Sequence, residues 1–462
     1  MKKLLGVISV CALGGLYMVG CGDEGESTPT THTKTITVAD GPIAGATVTV
    51  GNNIYTTDKN GNVNITYSSG KTITVKGGVD IGDPKNQNDD IPFVGILESS
   101  TNYNTVTPLT TLAVNNQKLA TALSNYLNEI PSEIKNKTVK KLNYAVASLI
   151  YTFAKGANVN IAKKIIEKVA GNLEPENITQ QDPVNALKVA VKKSIKELNE
   201  VNITDSDAII DAVNTVLSSL DNDTLVENMH SIAMIKDKLD TATSKIESAI
   251  PVPKVEITYF NFVDINTATA YGDFNNITNT LTIANSNLTE HKNLCILLNT
   301  KNFRDNVYYP NVTFTLGVTD LGSERKAVLK LAGVDVNITK TNTDGYQINV
   351  TLEKGATLTI EGITSTREKV SYTLTNTDPT QGLEEYIDVF PYSRVADSEE
   401  TIENMTVICY DLGKLEDRVE NDPSAPEALK NINYIGNYII SVSAENENNT
   451  FVPYAARIIV SE

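Results

Sequence analysis

Apolar residues follow two different periods along this chain. From about Lys34 to Val75 they alternate with polar ones, as in Thr35-Ile36-Thr37-Val38, Ala44 to Val50, Asn62 to Tyr67 and Lys71 to Val75. Alternation places every second side chain on one face, so these runs predict half-buried strands. Asp40-Gly41-Pro42 reads as a turn. Asp58-Lys59-Asn60-Gly61 reads as a hairpin turn, with glycine where positive φ is needed. Between residues 109 and 250 the spacing becomes helical. Leu112, Leu119, Leu123 and Leu127 form one stripe, stopped before Pro131. Val139, Leu142, Val146, Leu149 and Phe153 form the second, and Ile161, Ile165 and Val169 the third. Asp182-Pro183 is a cap followed by a first-turn proline, and it opens the fourth at Val184, Leu187, Val191, Ile195 and Leu198. Ile209, Val213, Val216 and Leu220 make the fifth, and Leu225, Met229, Ile232, Leu239 and Ile246 the sixth and longest. One-faced stripes of this kind predict a helical bundle, expected to fold as an independent unit. Pro251-Val252-Pro253 reads as a stiff linker. Short alternating runs then resume from Val255 to Val460. They predict a β-sandwich region, either one large sandwich or two Ig-like ones.

The chain starts differently. Lys2 and Lys3 precede an apolar run from Leu4 to Val19, then the small residue Gly20. That order reads as a secretory signal peptide. The run is short for a transmembrane helix of about 20 residues. Met18-Val19-Gly20 directly before Cys21 resembles the lipobox of bacterial lipoproteins. The resemblance implies cleavage after Gly20 and a lipid anchor on Cys21, with the membrane as its first partner. Residues 22–33 are small and polar and read as a tether. The expected plan is therefore a leader at 1–20, a tether at 21–33, a sandwich with its connecting loop at 34–105, the helical bundle at 106–250 and the second β region at 255–462. Its fold class is multidomain α plus β.

A second resemblance rests on Val38-Ala39-Asp40-Gly41-Pro42-Ile43-Ala44-Gly45-Ala46-Thr47-Val48 and on Thr57-Asp58-Lys59-Asn60-Gly61-Asn62. These look like the carboxypeptidase regulatory-like, transthyretin-like β-sandwich carried by many bacterial surface proteins. The stretch Gly77-Gly78-Val79-Asp80 through Val106-Thr107-Pro108-Leu109-Thr110-Thr111-Leu112 is similar to a segment found directly after such modules in large surface proteins. The family implies a spacer or interaction module. Gly436 to Val442 resembles late strands of bacterial Ig-like domains.

Composition narrows the function classes. The formal charge of −17 becomes −19 once Lys2 and Lys3 leave with the leader. Such a chain repels phosphates, so nucleic acid is not an expected partner. It gains nothing from anionic lipid surfaces, which leaves attachment to the lipid on Cys21. Trp is absent, which argues against a carbohydrate site built on indole platforms. Of four cysteines, Cys11 leaves with the leader and Cys21 carries lipid. Cys295 and Cys409 remain, and an exported compartment predicts a disulfide between them, with two buried free thiols as the alternative.

Few residues suggest chemistry. His32, His230 and His291 fall in different predicted elements, and no P-loop, HExxH, GxSxG or dinucleotide fingerprint occurs. No catalytic residue, metal or cofactor is expected. Between residues 378 and 427, 14 acids stand against Arg394, Lys414 and Arg418. A solvated acidic loop is the expected reading, with calcium binding as the alternative. Asp83, Asn86, Asn88, Asp89 and Asp90 form a further polar loop. Two sequons with an acid two positions upstream, at Asn202 and Asn337, resemble the extended acceptor of some bacterial N-glycosylation systems. Together these features predict an exported protein, lipid-anchored in the bacterial envelope at the outer membrane or cell surface. Its expected role is binding, adhesive or structural, toward a protein or glycan ligand. Alternatives are a glycan hydrolase with paired carboxylates in the C-terminal region, or an accessory subunit of an envelope assembly.

Overall fold

In the computed structural model of the protein, the described residues are 31–58, 60–81, 91–179, 182–252, 254–264, 269–275, 280–290, 292–301, 307–318, 328–340, 346–363, 369–377, 382–395, 402–430, 435–443 and 454–462. They form a mixed α and β protein.

The first strands are β1 (His32–Val38), β2 (Ile43–Ala44), β3 (Thr47–Val50), β4 (Asn53–Thr56) and β5 (Asn62–Tyr67). β6 (Thr72–Lys76), β7 (Val79–Asp80), β8 (Ile91–Pro92), β9 (Ile96–Ser100) and β10 (Thr105–Val106) come next. They assemble as three small sheets, ordered β10-β1-β5, β4-β3-β6-β9 and β2-β7-β8. Ile36, Val38, Val48, Ile65, Ile73 and Val75 are fully buried in one core between them. The turn at Asp58 to Gly61 forms, with Asp58 Oδ1 accepting from the Asn60 and Asn62 amides at 2.8 and 2.7 Å. Gly61 has φ 76°, and a Cβ there would collide with the Val38 carbonyl. The expected hairpin does not, however, join two strands of one ladder. β4 pairs with β3 while β5 pairs with β1, so this turn carries the chain from one sheet to the other.

The helical stretch contains α1 (Pro108–Asn115), α2 (Gln117–Ala122), α3 (Lys137–Gly156), α4 (Val159–Asn172), α5 (Pro175–Thr179), α6 (Pro183–Glu197), α7 (Ser206–Ser219), α8 (Asp223–Asn228) and α9 (Lys236–Ala249). Two expected helices are each broken in two. Asn116 interrupts the first stripe: its Oδ1 accepts from the Lys118 and Leu119 amides and starts α2, while its Nδ2 donates to Ala170 O of α4 at 2.8 Å. The sixth stripe breaks at Met229, where the backbone turns extended before a 3-10 turn at Ile232–Ile235. Side chains cap most starts, including Asn136, Asn158, Asp182, Asp205 and Asn222.

The helices do not complete their core alone. One cluster of buried residues runs from Ile36 of β1 to Val252, through sheets and helices alike. α3 is buried almost all round from Leu142 to Ala154, the mark of a helix enclosed on every side. Two of its buried hydroxyls bond within the helix: Ser148 Oγ donates to Tyr144 O at 2.7 Å and Thr152 Oγ1 to Ser148 O at 2.6 Å. Gly95, just before β9, lies so close to Ile150 of α3 that a Cβ would collide with it. Thr110 and Thr111 of α1 donate to Glu98 O of β9. The expectation of an independent helical unit is thus revised, because the β layer closes one side of it.

Beyond residue 253 lie β11 (Lys254–Asp264), β12 (Thr269–Ala270), β13 (Asp273–Asn275), β14 (Thr280–Ala284), α10 (Asn285–Glu290), β15 (Asn293–Lys301), β16 (Val307–Val318) and β17 (Val328–Lys340). β18 (Tyr346–Ile363), β19 (Lys369–Thr375), β20 (Ile387–Val395), β21 (Ile402–Asp411), α11 (Leu412–Asn421), β22 (Gly436–Ser443) and β23 (Tyr454–Ser461) complete the chain. They form a five-stranded sheet, β12-β11-β15-β21-β20, and an eight-stranded one, β13-β14-β23-β22-β16-β17-β18-β19. β18 lies against β20 and β21, and β11 against β22 and β23, so the sheets face each other. No helix among the described residues is long and apolar enough to cross a membrane.

Candidate functional site

Polar groups converge where the β layer meets the helices. The chain leaves β1 at Ala39, and Asp40-Gly41 turns it toward β2. Asp40 and Asp80, the last residue of β7, are each 1% exposed. Gly41 makes that approach possible: a Cβ there would lie 2.6 Å from Asp80 Oδ1 and 2.8 Å from the carbonyls of His230 and Ile81. The Gly41 N–H donates to Asp40 Oδ1, and the Ser231 hydroxyl donates to Asp80 Oδ2. The Asp40 and Asp80 side chains lie close enough to influence each other's ionisation. Burial pushes Asp40 up to about 6, while the Asp80 side chain and the Gly41 amide hold it from rising further. Tyr144 of α3 donates to Met229 O at 2.7 Å beside this pair. Burial, together with the two nearby carboxyls, drives the Tyr144 phenol well above its ordinary range.

This cluster explains the break between α8 and α9. Ser231 both caps the next turn, accepting from Ala233 N at 2.9 Å, and reaches Asp80. Periodicity along the sixth stripe conceals it, although a serine before Ile232 is a cap signal. Asp40, Asp80 and Ser231 escape a reading of local patterns because they lie up to 191 positions apart in the sequence.

A second polar contact crosses the same junction. Glu98 of β9 is 6% exposed and binds Lys163 Nζ of α4 at 2.6 Å. A shallow indentation lies beside it, lined by Ile96, Thr111, Asn115, Ile150, Ala162 and Ile166.

Of the expected sites, Cys21 lies outside the described residues, as do His291 and the 83–90 loop. Cys295 and Cys409 face each other across β15 and β21, with sulfurs 2.04 Å apart in a disulfide. Their Cα atoms are 4.0 Å apart, closer than the roughly 5.5–6 Å usual for a bridge, because the two residues are direct neighbours in one sheet. His32 opens β1 with its ring 5.8 Å from that of Tyr67, and His230 contributes its carbonyl to the junction. Four of the described acids of the 378–427 block are engaged separately. Asp411 caps α11, Glu416 binds Lys292, and Glu427 binds Lys430 at 3.2 Å. Asp422 accepts from Ser424 and Tyr372, which hold its carboxyl down to about 2. Among the described residues no three His, Cys, Asp or Glu side chains converge in a way that would hold a metal ion. Asn202 is exposed in the turn before α7, and Asn337 lies in β17. No family model matches the chain, and no curated protein matches it either.

Proposed function

We infer that this chain is a lipid-anchored protein of the bacterial cell envelope with a binding, adhesive or structural role. The observation that carries the reading is the pair Cys295 and Cys409, neighbours across two strands, at 5% exposure each. They are the two thiols that a mature chain starting at a lipidated Cys21 would retain. A disulfide between them suits an oxidising compartment. The leader pattern and the residues before Cys21 point to the same address. Residues 34–105 act as a transthyretin-like spacer, supported by its small sheets and the Asp58 to Gly61 turn between two of them. The C-terminal region is one large sandwich, supported by the contacts of β18 and β11 across the two sheets. Its exposed surface carries the ligand contacts.

The test is fractionation of cells producing the full chain. The native protein is expected to stay with membranes through a carbonate wash and to take up labelled fatty acid; Cys21→Ser is expected to do neither. A Cys21→Ser protein that stays membrane-bound would overturn the anchor. Protease shaving of intact cells then reads surface exposure.

A further inference from the structure

Charge is spread unevenly over the β layer. β1 starts at His32, opposite Tyr67 at the end of β5. The 68–71 turn leads from there to Thr72 of β6, which pairs with Ser100 at the end of β9. Val50, the last residue of β3, pairs with Ile73 and, across the 51–52 turn, with Asn53. One end of the layer therefore gathers the start of β1 and the 51–52, 68–71 and 101–104 connections. Lys71 N–H donates to Thr101 Oγ1 at 3.1 Å, and Lys34 Nζ donates to Thr101 O at 2.7 Å and to Tyr103 O. These bonds tie the connections into one surface.

The makeup of that end differs from the rest of the chain. Residues 31–35, 50–54, 66–73 and 99–104 hold Lys34, Lys71 and His32 and no Asp or Glu, in a chain of net charge −17. The other ends of β1 and β5 lead to Asp40 and Asp58. Glu129 marks the margin, one residue beyond Asn128, whose Oδ1 accepts from Asn104 N–H at 2.8 Å. Ile54, beside the 51–52 turn, is the most exposed large apolar side chain among the described residues, at 64%. Tyr67 and Tyr103 are half-buried, and Lys71 is exposed. Tyrosine, an apolar side chain and lysine together suit the boundary between lipid headgroups and water. The same end is where the anchor would arrive. His32 follows Cys21 by 11 positions, which reach at most about 40 Å fully extended.

We propose that this end of the β layer is the membrane-facing surface of the protein, resting on anionic phospholipid headgroups through Lys71, His32 and Ile54. The proposal rests on the lipid anchor at Cys21. The net charge of the whole chain opposes such a contact, but its distribution orients the molecule. Basic groups act only within about a Debye length of the surface, and the acid-rich remainder is repelled away from it.

The test uses the full lipidated chain reconstituted on vesicles of phosphatidylcholine alone or mixed with phosphatidylglycerol. With Cys21 lipidated and Cys295 bonded to Cys409, a nitroxide attaches at one introduced thiol. Ser69→Cys, exposed in the 68–71 turn, reports on the proposed surface, and Lys193→Cys, exposed on α6, is the control. On anionic vesicles the label at 69 should lose most of its accessibility to a water-soluble nickel chelate and become accessible to oxygen dissolved in lipid. The label at 193 should stay open to the chelate. Salt at about 1 M, where the Debye length falls to about 3 Å, should reopen position 69. So should the pair Lys71→Glu and Ile54→Ser, both at exposed positions, while the protein still floats with the vesicles. A floating protein whose label at 69 is as open to water as the label at 193 would overturn the surface and leave the anchor standing. Equal shielding on neutral and anionic vesicles would overturn the headgroup contact. A protein that does not float overturns the anchor, and this surface with it.

Discussion

Residues 32–252 and 254–462 are held together by different means. In the first region, side chains from strands and helices enter one apolar core, from Ile36 to Val252. Backbone pairing there is modest; β2, β7, β8 and β10 have two residues each. In the second region, ladders dominate. β17 and β18 pair from Val328–Glu361 to Lys340–Tyr346. β14 pairs in parallel with β23, so residues near 280 meet residues near 460. Such pairing requires closing long loops before any contact rewards it. The Cys295–Cys409 bond spans 114 residues across the middle of the five-stranded sheet and restrains that closure. A packed core and a stapled ladder therefore answer to different perturbations. The first should respond to cavity and steric changes, and the second to reduction.

The largest expected effect comes from removing the staple. The double variant Cys295→Ala, Cys409→Ala should lose about 4–5 kcal/mol in the second region by the chain-entropy argument. Denaturant unfolding with regional hydrogen exchange reads it, and protection of α3 should not change. Loss of protection in both regions would erase the distinction. Next comes Leu142→Ala in α3, a fully buried position. It should cost about 3 kcal/mol, and β6 and β9 should lose protection with the helices because they share one core. Gly95→Val forces a side chain into Ile150 and should cost about 2 kcal/mol. Its informative readout is in α3, which it should destabilise although the change lies in the β layer. Smallest is Asp182→Ala, which removes the side chain accepting from the Val184 and Asn185 amides. About 1 kcal/mol is expected, with fraying confined to the start of α6.

Period reveals most of the elements and little of their assembly. Val139, Leu142, Val146, Leu149 and Phe153 are legible as a helix because their spacing repeats on one face. Burial of the opposite face, including Asn143, Tyr144 and Ser148, is not legible, since polar residues at those positions read as solvent-facing. Asn116 and Ser231 break two stripes through side-chain bonds to distant elements, Ala170 O and Asp80. Apolar spacing carries no record of such partners. The Cys295–Cys409 pairing can be argued from compartment and elimination. By contrast, Asp40 and Asp80 each sit in a turn-like polar setting, Asp-Gly-Pro and Val-Asp-Ile-Gly-Asp, that conceals their burial.

One comparison bears most directly on the single core of the first region. Fragments 31–252 and 106–250 would be melted side by side, monitored by helical circular dichroism. The longer fragment should lose its helices in one cooperative transition. The shorter one exposes the faces of α1 and α3 that β9 and Gly95 cover, so it should melt broadly or at a much lower temperature. A shorter fragment that unfolds cooperatively at the same temperature as the longer one would contradict the shared core and restore an independent helical unit.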